Sequence, residues 1–211
     1  MKRCLYVIFA ALMLSCSYAF AQESVEQYLL NLKEPKQEDY IKLLYEGSHE
    51  NQLLAVTKLA ELGSNDEEVL EALTYSLEQG TRFVKREGSK VVNDFWDVRA
   101  ASAKALGEIG DPRVLPDLHV ALRYDHDLFV RSSVAIALGR IGRKESISEL
   151  SRAIELSDAS GPDDELIRAC VDALGEIGDK ESFVPLVEVL RGKYSRSIRL
   201  AARESLKKIR W

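Results

Sequence analysis

Four stretches of this 211-residue chain align with one another without gaps, and that self-similarity constrains the fold more than any other feature. They are residues 98–110 (VRAASAKALGEIG), 130–142 (VRSSVAIALGRIG), 166–178 (LIRACVDALGEIG) and 198–210 (IRLAARESLKKIR). The equivalent leucines, Leu106, Leu138, Leu174 and Leu206, are 32, 36 and 32 residues apart, and a degenerate earlier copy runs from Leu53 to Gly63. Apolar and small residues recur at helical spacing in each copy, as in Val98, Ala101, Ala105 and Ile109. Each copy therefore reads as one amphipathic helix. Gly107, Gly139 and Gly175 leave room for a neighbouring helix, while Gly110, Gly142 and Gly178 suit the left-handed position just past a helix end. Asp111-Pro112 supplies a cap and a first-turn proline for the next helix, and Asp179 repeats the capping role.

A second apolar pattern lies between the copies: Leu115, Leu118 and Leu122 correspond to Ile147, Leu150 and Ile154, and to Phe183, Leu186 and Leu190. The unit is then a two-helix hairpin whose apolar faces need neighbours above and below. Tyr40–Tyr45 with Leu53–Gly63, and Val69–Leu77 with Asp94–Gly110, add two hairpins at the front. The expectation is an all-α, right-handed α-solenoid of about five hairpins over 37–211, preceded by a capping segment at 22–36 with a short helix at 24–32. In the last copy Leu206-Lys207-Lys208-Ile209-Arg210 replaces the glycine ending, as suits a terminal repeat with a polar outer side.

With the pattern V-R-x-x-A-x-x-A-L-G-x-I-G and the G-D-P linker, the hairpins resemble HEAT repeats of the short bacterial type, the class also found in phycobilisome lyase subunits. The resemblance covers residues 37 to 210. It implies the solenoid fold and implies binding more than any one reaction, because function in such families lives in sites and not in the scaffold.

The first 21 residues have a different character. A basic start (Lys2, Arg3), an apolar run from Cys4 to Leu14 and small residues at Ala19 and Ala21 make the three-part layout of a secretory signal peptide, cleaved after Ala21. The apolar run is too short to span a bilayer, which takes about 20 residues. Met13-Leu14-Ser15-Cys16 offers a second, lower-ranked reading as a lipidation site at Cys16. Both readings put the chain outside the cytoplasm, secreted across the inner membrane into a periplasm, with no transmembrane helix in the mature protein. Removal of residues 1–21 takes Lys2 and Arg3 and no acid, so the formal charge goes from -5 to -7, which disfavours nucleic acid as a partner. It also leaves Cys170 as the sole cysteine, so no internal disulfide can form.

Two departures from the repeat period mark where binding could sit. Thirteen extra residues fall between Leu77 and Val98, around Gly80–Asp94, and four fall between Ile154 and Leu166. Both insertions lie in turns from first to second helix, on one edge of the stack, where binding surfaces of repeat proteins often form. The first is basic with interleaved apolar residues and could form a small hairpin about Gly88-Ser89. Its Arg82, Phe83, Lys85, Arg86 and Lys90, with Trp96 nearby and Lys104, Arg140, Asp172 and Glu176 on second helices, are the candidate binding residues. Arg99, Arg131 and Arg199 recur at one position and look like a ladder pairing with acids of the adjacent repeat.

Tests for catalysis turn up no motif. A related HEAT-type enzyme, deoxyhypusine hydroxylase, holds two irons with His-Glu pairs at the start of second helices, but the aligned positions here are Ala100-Ala101, Ser132-Ser133, Arg168-Ala169 and Leu200-Ala201. His49-Glu50 precedes the degenerate helix, and Asp125-His126-Asp127 lacks a second cluster. Cys170 aligns with Ser102, Val134 and Ala202 and reads as a packing residue. No P-loop, nucleophile elbow, dinucleotide fingerprint, metal site or cofactor is indicated. The sequence alone thus leads to an exported, non-catalytic scaffold that binds a protein partner. An enzyme or enzyme subunit of the HEAT-like lyase or metal-oxygenase type is the alternative.

Overall fold

The chain is described by a computed structural model over residues 35–211; the leader at 1–21 and the helix expected at 24–32 lie outside the described residues. Ten helices follow in pairs: α1 Gln37–Glu46 and α2 His49–Leu62; α3 Glu67–Leu77 and α4 Trp96–Ile109; α5 Leu115–Tyr124 and α6 Leu128–Ile141; α7 Ile147–Glu155 and α8 Asp164–Ile177; α9 Phe183–Arg191 and α10 Arg196–Leu206. These are five HEAT-like hairpins stacked as an α-solenoid. Short 3-10 turns at Pro112–Val114, Lys144–Ser146 and Lys180–Ser182 lead into α5, α7 and α9. The Asp111 side chain caps the first of them through the Arg113 amide at 2.8 Å, and Asp179 caps the third through the Glu181 amide at 2.9 Å. None of the described helices is long and apolar enough to cross a membrane.

The second helices, α2, α4, α6, α8 and α10, form one continuous row, each packed on the next. Their glycines explain how closely. A Cβ on Gly107 would lie 2.6 Å from the Ala137 Cα, and one on Gly139 2.8 Å from the Ala173 Cα. The helix backbones meet there with no room for a methyl group. Buried Ala103, Ala137, Ala173 and Ala202 continue the small-residue seam, and Leu106, Leu138 and Leu174, all fully buried, point from it into the core.

The first-helix row is less regular. Helix α1 packs on α3 and α5 packs on α7, but α3 and α5 hardly touch. The long insertion follows α3 at this place. It carries a two-residue antiparallel ribbon, β1 Arg86–Glu87 and β2 Lys90–Val91, with Arg86 opposite Val91 and Glu87 opposite Lys90. The turn is Gly88-Ser89, with Gly88 at φ 62°, as the sequence anticipates. The ribbon's base is fixed by Asn93, which is buried. Its side chain donates to the Phe83 carbonyl at 2.7 Å and accepts from the Lys85 amide at 2.8 Å.

The base is also tied to the stack by Arg99, whose side chain is completely enclosed. Its guanidinium donates to both Asp125 oxygens, at 2.8 and 3.3 Å, to the Gln79 carbonyl at 3.3 Å and to Asp94. Three segments therefore converge on one cation: the end of α3, the end of the insertion and the turn between α5 and α6. The arginine ladder is realised at this rung only. Arg131 donates instead to the Leu122 carbonyl at 2.8 Å, and no salt bridge to Arg199 is found among the described residues. The reason is visible in the alignment: the residue equivalent to Asp125 in the next hairpin is Gly161, which has no carboxylate to offer.

Candidate functional site

The gap between α3 and α5 is a hollow of about 320 Å³. Residues of α3 spaced for one helix face, Glu67, Glu71, Thr74 and Glu78, line one wall, opposite the core stripe of Val69, Ala72, Leu73 and Leu77. Asp117 of α5 faces them, and the floor is aromatic. Phe83 folds back from the insertion so that its ring centre lies 5.2 Å from that of Tyr75, and Tyr75 lies 4.7 Å from Tyr45 on α1. Burial, with the Glu71 charge adding to it, pushes the Tyr45 phenol above its usual range.

A second hollow of about 430 Å³ adjoins the first at Glu78 and runs under Thr81 and Arg82 to Val120, Tyr124 and His126. A third, of about 220 Å³, adjoins the second at Tyr124 and is lined by Arg123, Arg131, Glu149, Arg152 and Leu156. Together they make a trough along the first-helix side and the insertion edge, with most of its carboxylates in the first hollow, where Arg113 also lies, and most of its guanidinium groups in the third. Within the third hollow Arg123 grips Glu149 with both nitrogens, one contact being 2.6 Å. That hydrogen bonding holds the Glu149 carboxyl below its ordinary range.

The candidate residues named from the sequence fall on two surfaces. Arg82 and Phe83 belong to the trough, Arg82 pairing with Glu78 at 2.8 Å. Lys85, Arg86 and Lys90 are exposed on the ribbon beyond it. Trp96 is half exposed and packs across hairpins on Phe129, ring centres 5.7 Å apart. Lys104, Arg140, Asp172 and Glu176 lie away from the trough, on the outer side of α4, α6 and α8. There Arg140 meets Glu108 at 3.2 Å and Asp172 meets Arg168 at 3.8 Å. The fold does not bring these four together with the insertion.

Tyr75, Glu71, Asp117, Tyr124 and Arg152 of the trough lie outside the residues that the repeat insertions single out. Their sequence signal is the run Glu67, Glu71, Thr74, Glu78 along the polar side of α3 and its end. Of the three histidines, His126 lines the second hollow, 3.3 Å from Asp94, and the other two serve packing. His49 stacks on Phe95 at 4.3 Å and meets Asp97 at 2.8 Å, and His119 bonds to the Ser146 hydroxyl at 3.0 Å in the next hairpin. Cys170 is fully buried, and desolvation pushes its thiol up to about 12. It is no nucleophile at neutral pH. No group of three or more potential metal ligands occurs among the described residues.

Paired helices in a stacked row, with hollows along one side, define a helical-repeat solenoid. Residues 89–160 match the HEAT repeat family and residues 166–192 the PBS lyase HEAT-like repeat. Residues 89–192 thus carry HEAT-type repeats, with a unit of the PBS lyase HEAT-like type at 166–192. It is 28% identical over 116 residues to the bilin biosynthesis protein PecE of Nostoc sp. strain PCC 7120, a match over 55% of this chain and 44% of that protein. The chain thus matches less than half the length of that curated relative. In fold it is similar to the complex of CpcE and CpcF of phycocyanin lyase from Nostoc sp. PCC7120, with TM-score 0.66 and 19% identity over 85% of this chain and 66% of that one.

These likenesses correct the sequence reading on two points. The non-catalytic scaffold is overturned by similarity to a bilin biosynthesis protein, with a lyase complex sharing the fold, and so is the expectation of a non-enzyme. The physical reason is that a search for nucleophiles, metal ligands and phosphate loops detects only catalysis borne by such groups. A subunit that holds a ligand between helices carries none of those signatures.

Proposed function

We propose that the chain is one subunit of a lyase-type enzyme that binds an extended pyrrolic ligand of the bilin class and works paired with a second HEAT-repeat chain. The observation that carries this reading is the trough. Its acidic end presents carboxylates of Glu71 and Asp117 beside the Tyr75–Phe83 aromatic floor. Pyrrole N–H groups are donors, carboxylates accept from them, and flat conjugated rings stack on aromatic faces. The first hollow is at the small end of the roughly 300–1,000 Å³ range for ligand sites and is open on one side, so a second chain is needed to enclose a tetrapyrrole. The exposed ribbon with Lys85, Arg86 and Lys90, rising from the same edge, offers that chain a basic contact. With Cys170 sealed in the core, this subunit's part is to bind and orient.

The test is titration of the purified chain with biliverdin, followed by visible circular dichroism. Binding in an asymmetric trough gives the chromophore an induced signal. The double substitution Y75A/F83A, which removes the aromatic floor, weakens binding about tenfold, the loss of ring contacts worth ~1.5 kcal/mol. No induced signal with the unaltered chain overturns the reading.

A further inference from the structure

The basic end of the trough has a chemistry of its own. Of its three arginines, Arg123 is committed to Glu149. Arg131 is anchored through its Nε to the Leu122 carbonyl, so its plane is fixed while its two terminal nitrogens make no hydrogen bond among the described residues. Arg152, on the exposed side of α7, forms no hydrogen bond or salt bridge among the described residues and helps hold the Glu149 carboxyl down from a distance. One carboxylate thus faces three guanidinium groups, and the rest of the hollow's lining is Leu122, Tyr124, Ala153 and Leu156. Tyr124 and Leu156 are 71% and 72% exposed, large apolar surfaces left bare beside two unmatched cations.

We propose that this third hollow is an anion subsite in which Arg131 and Arg152 grip a carboxylate while Tyr124 and Leu156 cover the apolar stem that bears it. A guanidinium fork matches the two oxygens of a carboxylate, and an adjoining apolar wall selects a carboxylate on a hydrocarbon arm over a small mineral anion. As an account of bilin orientation the subsite rests on the reading above. A linear tetrapyrrole carries its propionate arms on the two central rings, and the subsite is suited to take one such arm. Glu149 acts as a built-in competitor that holds Arg123 out of the subsite.

Two pairs of probes separate the subsite from the trough. The first is 3-phenylpropionate against its uncharged amide, followed by NMR at the arginine Nε–H and Leu156 methyl signals. The acid titrates the signals of Arg131, Arg152 and Leu156, and the amide leaves them in place. R152Q weakens the acid about tenfold, as the loss of one charge-assisted hydrogen bond predicts. E149Q tightens it by releasing Arg123, a gain that misfolding cannot imitate. Equal effects of acid and amide, or an E149Q protein that binds no better, overturn the subsite.

The second pair is biliverdin against its dimethyl ester. The diacid binds about tenfold more tightly, and R152Q abolishes the difference. If 3-phenylpropionate behaves as stated while biliverdin fails to bind, the trough reading falls and the subsite stands. If biliverdin and its ester bind alike, the trough reading stands and the subsite falls.

Discussion

Replacing Arg99 by methionine tests the junction on which the insertion rests. Methionine keeps most of the side-chain volume and removes the cation. In the native protein Asp125, whose side chain is only 2% exposed, takes two hydrogen bonds from Arg99, and the remaining internal one comes from the Asp127 amide at 2.9 Å. In R99M that carboxylate is left buried without its counter-charge, and the Gln79 carbonyl loses a donor. Breaking a buried pair from one side costs about 3–5 kcal/mol. For a chain of this size each kcal/mol lowers Tm by about 2–4 °C, so the expected fall is roughly 6–20 °C by calorimetry, with a matching drop in urea midpoint. Hydrogen exchange should locate the loss, with amides of 79–94 exchanging first. The double variant R99M/D125L removes both charges and should regain most of the stability, because well-packed apolar residues often replace a buried ion pair without penalty. A loss below about 1 kcal/mol in R99M, or a double variant no better than the single one, refutes the reasoning.

Other outcomes follow from the seams and the loop. G139V forces a side chain into the Ala173 backbone and should lower Tm by at least several degrees, whereas unchanged melting means the α6–α8 contact is misassigned. Trimming the ribbon tip, residues 86–91, should leave helicity and Tm nearly unchanged. N93A, which removes the buried side chain that bonds the Phe83 carbonyl and the Lys85 amide, should cost about 1–3 kcal/mol by urea denaturation for the two hydrogen bonds lost, so the loop divides into a dispensable tip and a structural base. Burial lowers the His119 pKa, so the folded chain resists taking a proton that the unfolded chain accepts near 6.5. Stability contributed by neutral His119 is therefore fully present above about pH 6.5 and declines as pH falls below it. H119N should flatten that part of the stability profile, and an unchanged slope counts against the assignment.

The later second helices were legible because their constraints are local and repeated, whereas α2 begins at His49, taking in the His49-Glu50 pair that the degenerate copy from Leu53 leaves outside. Each copy of L-G-x-I-G carries both the close-approach glycine and the left-handed cap, and Gly110, Gly142 and Gly178 adopt φ of 75°, 70° and 63°. The ribbon turn at Gly88-Ser89 was readable for the same reason. The trough was not, because it arises from a relation between α3 and α5 that no local pattern states. Those helices part where the insertion enters, and only then do Glu71, Phe83 and Asp117 become neighbours. The arginine column shows the same limit. Its periodicity was plain, yet whether each arginine finds a partner depends on the turn of the following hairpin, Asp125 in one case and Gly161 in the next. Lys104, Arg140, Asp172 and Glu176 were chosen as exposed polar positions, and such positions alone do not say which of two faces binds.

One row of helices is sealed by glycine against alanine or serine, while the other is interrupted between α3 and α5 and again between α7 and α9. Mechanically this is a spine with a compliant flank. Flexing about the sealed seam would widen or narrow the gap between α3 and α5 while breaking few packed contacts, whereas on the opposite side Glu108 and Arg140 join successive hairpins.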